Sequence, residues 1–194
     1  MKQSMNTNMK HHTKQFTHAL LTWPLLMLAL LLTGCASLSS LAPQDYATET
    51  PKLDLARYFN GKVDGWGMIQ DRSGKVIRRM TVEMECTWVG NEGTLDESFT
   101  WSDGKKEKRI WKISKRGDSY TGTAGDIVGQ AVGEAAGNTL RWTYTLALPA
   151  DQGGYHMSMD DWMWQLDEKT LANRTRMSKF GVQFAEISIF FRKR

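Results

Sequence analysis

Cysteine and histidine are scarce in this sequence, and where they fall matters more than how many there are. Of 194 residues, two are cysteine and four are histidine. Cys35 ends an N-terminal apolar run and Cys86 lies far downstream in an alternating segment, so no disulfide framework is available to staple a small fold. Cys86 sits on the apolar side of its segment with nothing nearby to lower its pKa, which points to a buried inert thiol. His11, His12 and His18 precede the apolar run, leaving His156 as the histidine of the remaining chain and excluding a histidine-rich zinc site. Sustained helical periodicity is missing after residue 60, which argues against crossover helices and a parallel sheet.

The N-terminus has the composition of an address. Lys2, Lys10 and Lys14 form a positive leader with no acidic residue, and "ALLTWPLLMLALLLTGC" follows as a short apolar run ending in small residues. A membrane-spanning helix needs about 20 apolar residues. Residues 1–34 therefore read as a signal peptide. Leu32-Thr33-Gly34-Cys35 resembles the lipobox of bacterial lipoproteins, in which the cysteine is lipidated and becomes the first residue. That resemblance implies cleavage before Cys35 and a membrane anchor through its lipid; an ordinary secretory signal containing a cysteine is the alternative. Ala36, where an Asp would retain such a protein at the inner membrane, implies the outer membrane, facing the periplasm. Residues 35–52, rich in Ser, Thr, Ala and Pro, have the composition of a flexible tether.

Removing the leader leaves 160 residues, enough for one domain with a substantial core over 53–194. The net charge of +4 falls to +1, because three of the 25 basic residues and none of the 21 acidic ones lie in the leader. A nucleic-acid partner is therefore not expected.

What remains alternates with a period of two. In "VIRRMTVEMECTW", Val76, Met80, Val82, Met84, Cys86 and Trp88 share one face and Arg79, Thr81, Glu83, Glu85 and Thr87 the other; "NTLRWTYTLAL" repeats the pattern with Leu140, Trp142, Tyr144, Leu146 and Leu148. Turn signals such as "DRSGK", "GNEG", "SDGK", "KRGDS" and "ADQGG" separate the runs. The expectation is an all-β domain of about eight to ten antiparallel strands with at most a short helix at 53–59, where Leu53, Leu55 and Phe59 turn inward. Strands in that number form a sandwich or close into a barrel, and meander order favours the barrel.

"GDIVGQAVGEAAG", residues 125–137, places a glycine at every fourth position. It has no lysine for a phosphate loop, and its first glycines are too far apart for a dinucleotide fingerprint. Asp126, Gln130 and Glu134 spoil a membrane glycine zipper. With a period of two, Gly129, Ala131 and Gly133 share one nearly bare face, as where a large ring or a ligand approaches a strand. Two readings stay open: aromatic side chains take up all the space, or a ligand channel runs past these three residues.

A second signature spans residues 159–182, "MDDWMWQLDEKTLANRTRMSKFGV". Asp160 and Asp161 point to opposite faces of a strand, so one of them turns inward. Arg174 or Lys179 is the expected partner of the inward carboxylate, and a structural ion pair is the simplest account of it.

With "YFNGKVDGWGMIQDRSGKV", "GDIVGQAVGEAAGNTLRWTYTLALP", "DDWMWQLD" and "NRTRMSKFGV", the chain resembles the bacterial lipoproteins catalogued as domain-of-unknown-function family 3833. The resemblance implies a single lipocalin-like barrel anchored by lipid, and it brings no catalytic residues. The resulting expectation is a monomeric lipoprotein without cofactor or metal that binds an apolar or amphipathic molecule such as a fatty acid. Trp66, Trp142, Trp162 and Trp164 would supply apolar wall and Arg174 and Lys179 a head-group contact. The alternatives are an interaction protein of envelope maintenance with a filled barrel, and an enzyme using Asp160, Asp161 or His156 as acid or base.

Overall fold

The computed structural model describes residues 41–194; the leader, its cleavage site and Cys35 lie outside the described residues. Ten strands follow one another: β1 Gly61–Asp71, β2 Val76–Val89, β3 Glu92–Trp101, β4 Lys106–Arg116, β5 Ser119–Thr123, β6 Ile127–Ala136, β7 Thr139–Ala147, β8 His156–Gln165, β9 Thr170–Lys179 and β10 Val182–Lys193. Each pairs antiparallel with its sequence neighbours, and β1 pairs with β10 from Val63 opposite Lys193 to Asp71 opposite Ala185. The sheet is thus a closed meander barrel with no free edge, as expected from the strand count and order.

Closure gives the period-two pattern its meaning, because alternate residues now face an interior or solvent. On β2, Met80, Val82, Met84 and Cys86 are buried between exposed Arg/Thr/Glu positions, as the alternation predicted, while Val76 at its start is exposed. Burial raises the Cys86 thiol to about 12, which keeps it an unreactive thiol at neutral pH.

One end of the barrel is plugged. Helix α1, Leu55–Tyr58, begins at Asp54, whose Oδ1 accepts from the Ala56 amide at 2.9 Å and whose Oδ2 receives Lys115 Nζ at 2.5 Å. The short helix carries Leu53, Leu55, Tyr58 and Phe59 into the core, as the spacing predicted, with Tyr58 added. The Tyr58 hydroxyl donates to the carbonyls of Lys169 at 2.8 Å and Phe191 at 3.1 Å, and the Trp88 indole donates to the Phe59 carbonyl at 2.8 Å. These bonds tie the plug to β2, β10 and the β8–β9 connection, while the Phe59 ring packs edge to face with Tyr58 and Phe191.

Residues 41–52, which have the composition of a tether, lie against the outer wall. A 3-10 turn, Pro43–Tyr46, sets the Tyr46 ring 6.3 Å from Trp162 and 6.4 Å from Trp164, and Gln44 donates to Glu134 at 2.6 Å. Residues 41–194 make one compact unit with its own closed sheet, plug and core, and so have what a domain needs to fold alone.

Phe59→Ala removes the ring that seals the plugged end. Its expected cost is about 3–5 kcal/mol, to be read from denaturant unfolding of the 41–194 domain; a cost under about 1 kcal/mol would show that the plug is not packed as described.

Candidate functional site

The interior between the plug and the opposite end is not full. A cavity of about 240 Å³ extends from Leu55 and Phe59 to Pro149 and Gln152, which belong to the connection between β7 and β8. Ten strands enclose a wider space than the eight that side chains can just fill, so large interior rings still leave room. Phe99, Trp111, Trp142 and Tyr144 supply those rings, with Trp111 edge-on to both Trp142 and Tyr144 at 5.7 and 5.5 Å. Met80, Met159, Met163 and Met177 complete an adaptable apolar lining.

A polar belt interrupts this lining. It arises where a strand's inward parity carries a charged or amide residue: Glu97 on β3, Arg109 on β4, Asp161 on β8, Asn173 and Thr175 on β9. Asp126, in the connection between β5 and β6, accepts from Arg109 Nε on Oδ1 at 3.1 Å and from Nη2 on Oδ2 at 2.7 Å, a bidentate clamp on one edge of the guanidinium. Asp161 accepts from the Asn173 amide, and the Thr175 hydroxyl beside it donates to Asn173 Oδ1 at 3.5 Å. Glu97 is 8 % exposed, its Oε2 has no hydrogen-bond partner, and Arg109 Nη1 stays 3.9 Å away.

Burial raises Glu97 to about 7, with Arg109 opposing the shift and the carboxylates of Asp126 and Asp161 adding to it. Burial likewise raises Asp161 to about 7, with the Asn173 and Thr175 side chains opposing the shift. Burial also pushes the Tyr144 phenol up, so it remains protonated. Among the described residues no cluster of three or more His, Cys, Asp or Glu side chains is placed to hold a metal ion.

Several residues singled out from sequence occupy other places. Trp142 lines the cavity, but Trp66 is 51 % exposed and Trp162 and Trp164 lie on the outer face of β8, stacked at 5.9 Å beneath Tyr46. Arg174, one residue off the inward parity of Asn173 and Thr175, lies 5.7 Å from the Trp164 ring, and Lys179 is 3.7 Å from the Tyr155 ring at the strand end. Neither reaches Asp161, so the expected ion pair inside the barrel is replaced by Asn173 and Thr175. Asp160 faces outward and pairs with Arg141 at 2.7 Å, and His156 is exposed at the start of β8.

The glycine-rich stretch divides by position. Gly129 has φ +72° in an irregularity of β6 between Val128 and Val132, and a Cβ there would meet nothing within 4 Å, so it bends the strand without walling the cavity. Ala131 is buried in the core opposite Gly122. A Cβ on Gly133 would strike the Trp142 indole, and one on Gly122 would come within 2.9 Å of the same ring. The bare face therefore accommodates Trp142, which in turn walls the cavity.

Residues 29–193 match the family described as Protein of unknown function (DUF3833). The chain belongs to that family. Among curated proteins none matches the chain significantly. Among solved structures, this DUF3833 protein is similar to Rv2717c from M. tuberculosis, at 14 % identity and a TM-score of 0.53 over 75 % of this chain and 99 % of that one. The S-type phycobiliprotein lyase CPES from Guillardia theta is matched at 5 % identity, TM-score 0.48, over 70 % of this chain and 88 % of that one. A de novo designed fluorescence-activating β-barrel is matched at 14 % identity, TM-score 0.41, over 73 % and 99 %. The likeness is one of fold.

The raised carboxylates make a sign-definite prediction. Folded Glu97 and Asp161 hold protons up to about pH 7, whereas unfolded carboxyls release them near pH 4. Folding therefore takes up protons in that window, and stability falls as pH rises through it. From pH 5 to pH 8 the domain should lose on the order of 2 kcal/mol per group, and Glu97→Gln should flatten the profile by one group's share. A stability independent of pH over this range would show that neither carboxylate is perturbed.

Proposed function

We propose that this DUF3833 protein is an envelope-anchored lipoprotein whose barrel binds or carries an apolar or amphipathic small molecule of lipid type. The observation that carries the reading is the cavity of about 240 Å³, mostly apolar, with a polar belt across it and a few charged side chains, such as Arg78 and Lys108, also in its lining. A ligand site needs this combination of contact area and a few polar groups for orientation. At about 30 Å³ per water-sized group, the space takes roughly eight such groups, the scale of a short acyl chain with its head. A partner-binding lipoprotein with a filled barrel has no use for such a cavity.

The anchor rests on the lipobox-like Leu32-Thr33-Gly34-Cys35 and the apolar run before it. A lipid on Cys35 would hold the barrel beside a bilayer, where amphipathic ligands partition, and Ala36 favours the outer membrane. Cys35→Ala should abolish incorporation of labelled palmitate and prevent membrane retention of the full chain; retained label on the variant would place the acyl group elsewhere.

The ligand is tested by native mass spectrometry of the 41–194 domain from a bacterial periplasm, followed by organic extraction. A stoichiometric small molecule is expected. Leu146→Trp, which puts an indole into the cavity from β7, should reduce its occupancy at least tenfold while the domain still unfolds cooperatively. A clean apo mass that persists after addition of short-chain amphiphiles would overturn the reading in favour of a barrel that acts through its outer surface.

A further inference from the structure

The charges around the cavity are unequally satisfied. Each cationic side chain of the lining already has a carboxylate partner: Arg78 meets Asp103 at 2.8 Å, Lys108 meets Asp96 at 2.9 Å, and Arg109 meets Asp126 at 2.7 Å. The acceptors are not matched in this way. Glu97 Oε2 is buried without a hydrogen-bond partner and the side-chain donor to Asp161 is the neutral Asn173, while the unpaired donor of the lining, Trp101 Nε1, is a neutral indole. A carboxylate or phosphate head entering the belt would find only the Nη1 edge of Arg109, whose charge Asp126 already pairs, and would sit among Glu97, Asp126 and Asp161. A donor-bearing head would supply what the belt lacks, since a buried acceptor left unsatisfied costs about 1–3 kcal/mol.

Resting on the ligand-binding reading above, we propose that the cavity selects an amphipathic molecule whose head donates hydrogen bonds to Glu97 and Asp161, a protonated amine above all, and discriminates against a carboxylate of the same chain length. The aromatic walls suit this class: Trp111 and Tyr144 line the space beside the belt, where rings attract a desolvated cation as Phe99 already does the Arg109 guanidinium, 5.6 Å from its centroid. The apolar remainder takes the tail.

Proton linkage follows from the groups that face one another. Glu97 on β3 faces Arg109 from β4, Asp126 from the connection between β5 and β6, Tyr144 from β7 and Asp161 from β8, with its neighbour Asp96 also acting on it and Glu107 of β4 in the same lining; Asp161 in turn feels Asp160 and Arg109. An ammonium placed here favours the ionised carboxylates, so amine affinity rises as pH increases through about 7 and binding releases a proton. Carboxylate affinity runs the other way.

The test is calorimetric titration of the 41–194 domain with octylammonium, octanoate and octan-1-ol, each below its aggregation concentration, at pH 6 and pH 8. Octylammonium should bind at least tenfold tighter than octanoate at pH 8 and more tightly at pH 8 than at pH 6. Glu97→Gln, and independently Asp161→Asn, should weaken the amine about tenfold and leave octanol unchanged. The comparison of the three ligands on the unaltered protein stands even where a variant does not fold. Octanoate binding as tightly as the amine, or an amine affinity indifferent to both substitutions, overturns the selectivity while leaving a ligand-binding barrel in place. Absence of binding by all three overturns the selectivity and the ligand-binding reading together.

Discussion

The ladder between β1 and β10 is the interaction on which the rest of the structure depends. Until the first and last strands meet, ten strands form an open sheet with two exposed edges and no inside. Once Val63 to Asp71 pair with Lys193 to Ala185, every strand acquires an inward and an outward parity, and the side chains of a meander converge on one axis. Of the strand pairings it has the longest sequence separation and is entropically the costliest to close. The plug spans it, because the chain runs from Phe59 straight into β1 while the Tyr58 hydroxyl bonds to the carbonyls of Lys169 and Phe191, held side by side by the β9–β10 pairing.

Much of this was legible because closure turns a one-dimensional pattern into a three-dimensional one. Met80, Val82, Met84 and Cys86 alternate with charged residues, and their burial needs no knowledge of their partners. The short N-terminal helix was legible from its apolar residues, since Leu55 and Phe59 lie one turn apart and Leu53 stands just before the cap at Asp54. Asp161 was half legible. Its opposition to Asp160 follows from the pleat, but its partners come from β9, across a register that no periodicity encodes. Arg174 looked like the partner by residue type and proved one position off the parity of Asn173 and Thr175.

The binding site was less visible because its residues look unremarkable where they stand. Glu97 lies in "GTLDESFTW", where Leu95, Glu97, Phe99 and Trp101 share a face; an acid on an apolar parity is the signal that marks it. Arg109 carries the same signal beside Glu107, Trp111 and Ile113. Tryptophan content points the other way. Trp66, Trp162 and Trp164 drew attention as large apolar groups, yet they occupy outward parities, where Tyr46 and Arg174 cover the last two. Size alone does not tell an interior ring from one that seats another segment of the chain.

The glycines of 125–137 show how one spacing can hide unlike physical demands. Gly129 is required by its backbone, which at φ +72° takes a conformation that side chains disfavour. Gly133 is required by its neighbour, since the Trp142 indole lies where its Cβ would be. Gly137 meets both demands, with φ +54° and the Tyr46 carbonyl against it from the segment that crosses the outer wall. The regular interval is therefore no repeat of function. Its consequence for the cavity is indirect but decisive: with Gly122 and Gly133 bare, Trp142 lies flat against the wall, and the space it would otherwise fill remains open beside Glu97 and Asp161.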